Sequence, residues 1–469
     1  MTKPDPGSFR DPLSQVFVSD GEILRGLSPR GLAEFEAVHA APVFGSLVSD
    51  GKVVATELLP AGSHELHEQW AGVLRHERLP VVSYPYEWTF EMLRDAALLQ
   101  IDVTRAAVAA GFSVKDASAY NVTFDGVRPV FIDVGSFEKP LRTEAWPGYR
   151  QFCELFLNPL VVQAAGGVGF NQWLRGSVEG ISLADTVAVV PLRRRLRKGL
   201  GVHVTLQARA DRKHTAAEVA AGPAGLTGQR RAGFSPTLLT AQLNNLEKTV
   251  RGLRWKAQRS VWSDYTDRSH YVGQDLPAKE AFVASTVEAL SPALVLDLGA
   301  NDGLFSLLAA EHGATRVVAA DFDHLVVDRL YRHLRETGET RILPLVLDLV
   351  NPSPGAGWRS RERRSFVDRV RPDLVLCLAV VHHLALTNTI PLDEIVAFLA
   401  EFGSDLVVEF PHPDDPMVIR LLGHKRAGLF DHYTRENWER SLDRRFAVTE
   451  REVLGTRTLY RCSLRSDQG

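Results

Sequence analysis

Apolar and polar residues alternate in two registers along this chain. Ala293-Leu294-Val295-Leu296-Asp297-Leu298 is a short apolar run that ends at Gly299. A run of this length, apolar at all but one position, predicts a parallel strand covered on both faces. The same texture returns at residues 315–320, 342–347, 372–378 and 405–410, and amphipathic helical stretches such as LFSLLAAEHG and HLVVDRLYRHLRET lie between the runs. Strands alternating with helices of this length predict an α/β domain with a doubly wound, Rossmann-like parallel sheet. Pro344 sits awkwardly in the third run, because proline cannot donate to a ladder. Earlier in the chain, residues 89–111 have the period of a long helix. Leu239, Leu243, Leu246, Val250 and Leu253 recur at three- and four-residue steps, which puts them on one face of another helix.

Three zones follow from this texture: residues 1–190, which mix short apolar runs with turns; a helical basic connector over 191–260; and the alternating domain over 261–469. A chain of 469 residues has room for two or three domains. Between Arg193 and Arg259 stand fifteen Lys or Arg against three acids, while the whole chain carries -3. That asymmetry can mark a surface for an anionic partner, RNA included, or a linker and solvated helix beside acidic neighbours. Three cysteines are too few for a disulfide framework. The first residues, MTKPDPGSFRDP, have no apolar core of a signal peptide, and no run is long enough to span a membrane. The expected setting is the cytoplasm. Composition sets no oligomeric state.

Chemistry gathers at the carboxyl ends of the five runs, where such sheets bind ligands. The first is followed by Gly299-Ala300-Asn301-Asp302-Gly303, a turn whose glycines let backbone approach a ligand. The second ends in Asp321-Phe322-Asp323, about 20 residues on, where an acid can accept from ribose hydroxyls. The third ends in Asp348-Leu349, and the fourth leads into Ala379-Val380-Val381-His382-His383-Leu384. The glycine turn departs from the G-x-G-x-x-G of dinucleotide-binding sheets. Taken in order, these four motifs resemble class I S-adenosylmethionine-dependent methyltransferases over about residues 262–465. The flanking segments WSDYTDRSHYVGQDLPAKEAFV and EFPHPDDPMVIRLLGHKRAGLFDHYT are similar to a bacterial nodulation-protein-like group of such enzymes.

The resemblance implies S-adenosylmethionine as cofactor. Asp297 and Gly299 would hold its methionine end, with Asn301 and Gly303 in the same loop. Asp321 would take the ribose hydroxyls, with Phe322 beside the adenine. Asp348 would accept from the adenine amino group, next to Leu349. Leu378, and Tyr271 and Lys279 from before the first strand, complete the set. Read singly, Asp321 or Asp348 is an ordinary helix cap.

Methyl transfer to a hydroxyl or amine needs the acceptor held near the methyl group and a proton removed. His382 and His383 are the leading bases, since an imidazole titrates near neutrality. Glu409 and His412 follow. Trp262, Tyr265 and Tyr433 are candidates for lining an acceptor pocket, or for plain packing.

In the N-terminal zone one stretch stands apart, GFSVKDASAYNVTFDGVRPVFIDVGSFE. Asp116 and Asn121 are five apart, and Asp133-Val134-Gly135 follows an apolar strand. This resembles the catalytic loop and metal-binding aspartate of protein kinases and aminoglycoside phosphotransferases, and implies an α+β kinase-like domain. There one carboxylate accepts the acceptor's proton, while an amide and a second carboxylate hold Mg²⁺ on ATP. Residues 89–111 would be the helix before the loop, and 81–86 the strand and hinge. Val114 stands where these families have His. If 53–59 is the strand for the phosphate-binding Lys, Thr56 and Glu57 occupy its place. The start of the chain offers SDGEILRGLS and no full glycine-rich loop.

Four functions remain open from the residues. One is methylation of a small molecule or saccharide, with the N-terminal domain recognising the acceptor. The others are a bifunctional kinase and methyltransferase, an RNA methyltransferase using residues 193–259, and a non-catalytic scaffold.

Overall fold

The computed structural model describes residues 2–19, 21–139, 146–195, 235–256, 275–423 and 425–465. The chain forms two compact units. The first comprises residues 1–124, 128–256 and 355–363, and the second residues 125–127, 257–354 and 364–469. Among the described residues no helix is long and apolar enough to cross a membrane.

The first unit opens with five short strands, β1 (Lys3–Pro4), β2 (Ser14–Ser19), β3 (Glu22–Leu27), β4 (Thr56–Leu58) and β5 (Gly72–His76). They form an antiparallel sheet in the order β1-β2-β3-β5-β4. Two helices, α1 (Pro29–His39) and α2 (Pro42–Ser49), connect β3 to β4. Ser28 caps α1 by accepting the Gly31 N–H, and Pro29 starts it, where a missing N–H costs nothing. Helix α3 (Phe90–Ala109) matches the expected long helix, with Thr89 as its cap. The strand expected at residues 81–86 is instead a short coil and the 3-10 turn Pro85–Glu87; the strand before it is β5.

After α3, β6 (Ser113–Val114) pairs with β9 (Phe137–Glu138). Between them lies the hairpin β7 (Val122–Asp125) and β8 (Arg128–Phe131). Helix α4 (Pro236–Gly252) carries four of the five apolar residues read from its spacing, Leu253 follows as its C-cap, all five are buried, and the helix packs on α3. It therefore belongs to the first unit, which follows from that apolar stripe needing a partner. The rest of the basic stretch, residues 196–234 and 257–259, lies outside the described residues.

The second unit is a seven-stranded sheet: β10 (Leu294–Leu298), β11 (Arg316–Asp321), β12 (Ile342–Val346), β13 (Leu374–Cys377), β14 (Asp405–Pro411), β15 (Phe446–Leu454) and β16 (Arg457–Leu464). Their order is β12-β11-β10-β13-β14-β16-β15. The first five are parallel, as the apolar runs predict. The sheet is mixed, however, because the hairpin β15–β16 is antiparallel and inserts β16 next to β14. Pro344 is paired with Ala319 in β12, and β12 is the edge of the sheet. An edge strand tolerates a residue without an N–H, which resolves the awkward position.

Candidate functional site

The site of the second unit is built at the carboxyl ends of β11, β10 and β13, beside the point between β10 and β13 where the strand order reverses. Asp297, in β10, is 2% exposed and accepts a 2.6 Å bond from Ser306 Oγ. Burial, reinforced by the charges of Asp321 and Asp302, pushes its carboxyl up to about 6 against the pull of Ser306 and Lys279. Gly299 follows at φ +78°, its N–H bonded to the Ala320 carbonyl at 2.8 Å. A Cβ there would come within 2.4 Å of Val380 Cγ2, so only glycine lets the loops after β10 and β13 approach this closely. Gly303 is also left-handed and starts helix α6 (Leu304–Glu311), which follows helix α5 (Asp275–Leu290) in the chain.

Asp321 closes β11 and is 8% exposed. Its Oδ2 accepts the Asn301 N–H at 3.0 Å and its Oδ1 the Asp323 N–H at 2.9 Å. Burial again pushes the carboxyl up to about 6 against those backbone bonds. The cap of the next helix, α7 (His324–Thr337), is Asp323, whose Oδ1 takes the Leu325 N–H at 2.9 Å. The bland helix-cap role thus falls to Asp323 and leaves Asp321 at the strand tip. Phe322 is 54% exposed beside it. Asp348 is exposed, its Oδ1 accepting the Val350 N–H at 3.0 Å in the turn that Leu349 occupies. Leu378 is buried just after β13.

Past Leu378 the chain turns through Ala379 at φ +56° into His382 and His383, whose rings lie 4.1 Å apart. His382 is buried and His383 half-buried. Burial, then the charge of Arg457, pushes His383 down to about 4, so its imidazole is neutral at physiological pH.

Glu409 is placed otherwise than expected. It is buried between two cations, with Lys279 Nζ 2.5 Å from Oε2 and Arg457 Nη1 3.1 Å from Oε1. Burial would raise its carboxyl, but Lys279 and Arg457 outweigh that and hold it below the usual range. Buried, with a cation on each oxygen, this carboxylate is closed to an acceptor. Arg457 also holds Asp415, Nε to Oδ2 at 2.7 Å. Lys279, expected against the cofactor, is thus a buried partner of Glu409, with its ammonium 4.8 Å over the Phe305 ring. Tyr433, expected in an acceptor pocket, is buried, stacks on Phe410 and donates its hydroxyl to the Pro411 carbonyl at 2.8 Å. His412 Nε2 lies 2.8 Å from Thr458 Oγ1. Trp262, Tyr265 and Tyr271 lie outside the described residues.

The spacing of motifs gave no sign of Ser306, Arg457 or Asp415. Arg457 opens β16, in the hairpin that the apolar runs did not reveal, and only a charged residue before an alternating strand, T-R-T-L-Y, was there to find.

In the first unit Asp116, Asn121 and Asp133 come together. Asp116 Oδ1 accepts the Ser118 N–H at 2.9 Å. Burial, then the charge of Asp133, raises the Asp116 carboxyl against bonds from Ser118, Asn121 and Gln151. The Asn121 carbonyl takes the Ile132 N–H at 2.8 Å. The strand preceding α1 is β3, and its basic residue is Arg25. The run at 53–59 yields β4 at the sheet edge, which carries Thr56 and Glu57. Among the described residues no three His, Cys, Asp or Glu side chains form a metal-binding group.

No family model matches the chain. It is 35% identical to the nodulation protein NoeA of Rhizobium meliloti over 459 residues, 97% of this chain and 94% of NoeA. Among solved structures it is similar to the N-methyltransferase NodS from Bradyrhizobium japonicum in complex with S-adenosyl-L-homocysteine. That match has 14% identity and a TM-score of 0.31, and covers 44% of this chain and 94% of NodS. It is also similar to the bifunctional kinase-methyltransferase WbdD, at 18% identity and a TM-score of 0.29, over 41% of this chain and 40% of WbdD.

Proposed function

The chain belongs to the family of the nodulation protein NoeA, and on that premise we propose that its second unit is an S-adenosylmethionine-dependent methyltransferase. The observation that carries this reading is the convergence of Asp297, the Gly299 turn and Asp321 beside the point where the strand order reverses. In open α/β sheets ligands bind there.

Asp297 and the backbone of the Gly299–Gly303 turn hold the amino-acid end of the cofactor. Asp321 accepts from the ribose hydroxyls, Phe322 offers its exposed ring to the adenine, and Asp348 faces the adenine amino group beside Leu349. Bound S-adenosylmethionine supplies an electrophilic methyl group. Ionised Asp297 and Asp321 favour a cationic ligand in a site of low dielectric. His383, neutral and half-buried, takes the proton of a hydroxyl or amine acceptor at a ring nitrogen, and buried His382 braces it. The acceptor is a small molecule or a saccharide.

For the first unit the reading is a kinase-like domain used in acceptor recognition. It is supported by the five-strand order, by the helices between the third and fourth strands, and by the gathering of Asp116, Asn121 and Asp133.

Incubating host extracts with the chain and isotopically labelled S-adenosylmethionine, followed by mass spectrometry, tests the proposal. A small molecule or glycan that gains the label with wild type and not with Asp321→Ala supports it. Label found only in RNA, or nowhere, rejects it.

A further inference from the structure

In kinase-like folds a cation on the third strand meets the nucleotide phosphates, and the aspartate of Asp-x-Gly holds Mg²⁺. The first unit has both positions, but they are spent on each other. Arg25, on β3 and 8% exposed, places Nη1 2.9 Å from Asp133 Oδ1. The other oxygen, Oδ2, accepts the Ser136 hydroxyl. Both oxygens are engaged, so a metal on Asp133 would have to compete with a cation already held there.

The surroundings are built for the guanidinium. A Cβ at Gly135 would come within 2.9 Å of Arg25 Nη1, so the glycine of Asp-Val-Gly makes room for it. On its far side Nη1 donates to Ser14 Oγ at 3.1 Å, and Ser14 donates to Asp11 Oδ2 at 3.1 Å. Lys115 Nζ lies 3.6 Å from Asp11, and the Lys115 N–H holds the Ser136 carbonyl at 2.8 Å. Arg25 and Lys115 thus stand against the carboxylates of Asp133 and Asp11. His76, buried and on the same face of the sheet, adds no charge. The Thr56 hydroxyl donates to the Val54 carbonyl and so receives the Nδ1 proton of a neutral ring. Burial and the charge of Arg25 push that ring down to about 3.

We infer that Arg25 is a tethered counter-ion that has taken the place of the divalent metal on Asp133, so that this cleft carries no Mg-ATP phosphotransfer. A guanidinium cannot lose its charge at any physiological pH, so deprotonation never releases Asp133. The inference concerns the first unit alone and stands whether or not the second unit methylates.

The test uses the full-length chain and Mn²⁺, with and without ATP, read by water-proton relaxation. Wild type and Asp133→Asn are expected to give the same weak signal. Arg25→Gln, shown to be folded by circular dichroism, is expected to gain Mn²⁺ affinity by about tenfold or more, because it leaves an uncompensated carboxylate. That gain should vanish in Arg25→Gln with Asp133→Asn. Mn-ATP binding by wild type that Asp133→Asn abolishes would overturn the inference, and so would a folded Arg25→Gln with no gain. If Arg25→Gln does not fold, the comparison of wild type with Asp133→Asn decides alone.

Discussion

Asn301 and Asp321, twenty residues apart, are joined across the ends of two neighbouring strands, the Asn301 N–H donating to Asp321 Oδ2 at 3.0 Å. Together with the Asp323 N–H on Oδ1, this bond orients the carboxylate before any ligand arrives. Such preorganisation lowers the ordering cost of binding.

The same burial that shapes this carboxylate makes the site sensitive to pH. Asp297 and Asp321 are both pushed up to about 6. A raised value means that the ligand-free fold keeps these protons better than the unfolded chain does. Their contribution to stability is complete below the ordinary value near 4 and is lost as pH rises through about 6. A cationic cofactor needs them ionised, so affinity runs the other way. The rise in Tm on adding S-adenosylmethionine is therefore expected to be larger at about pH 7.5 than at about pH 5. A shift independent of pH would contradict this.

Glu409 separates two accounts of its role. As the centre of the Lys279–Glu409–Arg457–Asp415 network, its loss strands buried cations. Glu409→Ala is expected to destabilise the second unit by about 3–5 kcal/mol in urea unfolding. An unchanged unfolding midpoint with methyl transfer abolished would instead make it the base.

Five strands of the second unit were legible because buried parallel strands are apolar along most of their length and Gly299 punctuates the first. The hairpin was not. β15 contains Glu450-Arg451-Glu452, is exposed along much of its length, and carries an irregularity between Val448 and Glu450. An edge strand of this kind looks like a solvated loop in sequence. The acidic tips were legible as spacing, whereas the fate of Glu409 depended on Arg457, 48 residues away. Arg25 was missed for a related reason. Glu22–Leu27 is one short strand among several, and only the pairing with β5 shows that it is the third of the sheet.

His383 is already neutral above about 4, so it does not need high pH to act. His383→Ala is expected to lower kcat by about 10²–10⁴-fold, the usual worth of a general base. Cofactor affinity should stay near wild type. The pH–rate profile of wild type should fall only on the acid side, through about 6 for the cofactor carboxylates and about 4 for His383. A limb near 7 that persists in the variant would point to a different base.

Isothermal titration of the full-length chain with S-adenosylmethionine, for wild type and Asp321→Ala, tests the methyltransferase site most directly. The account predicts one binding event in wild type, no heat with NAD, and about tenfold to a hundredfold weaker binding in the variant, the loss of a hydrogen bond to a charged group. Binding of NAD in place of S-adenosylmethionine, or equal affinity in both proteins, would contradict it.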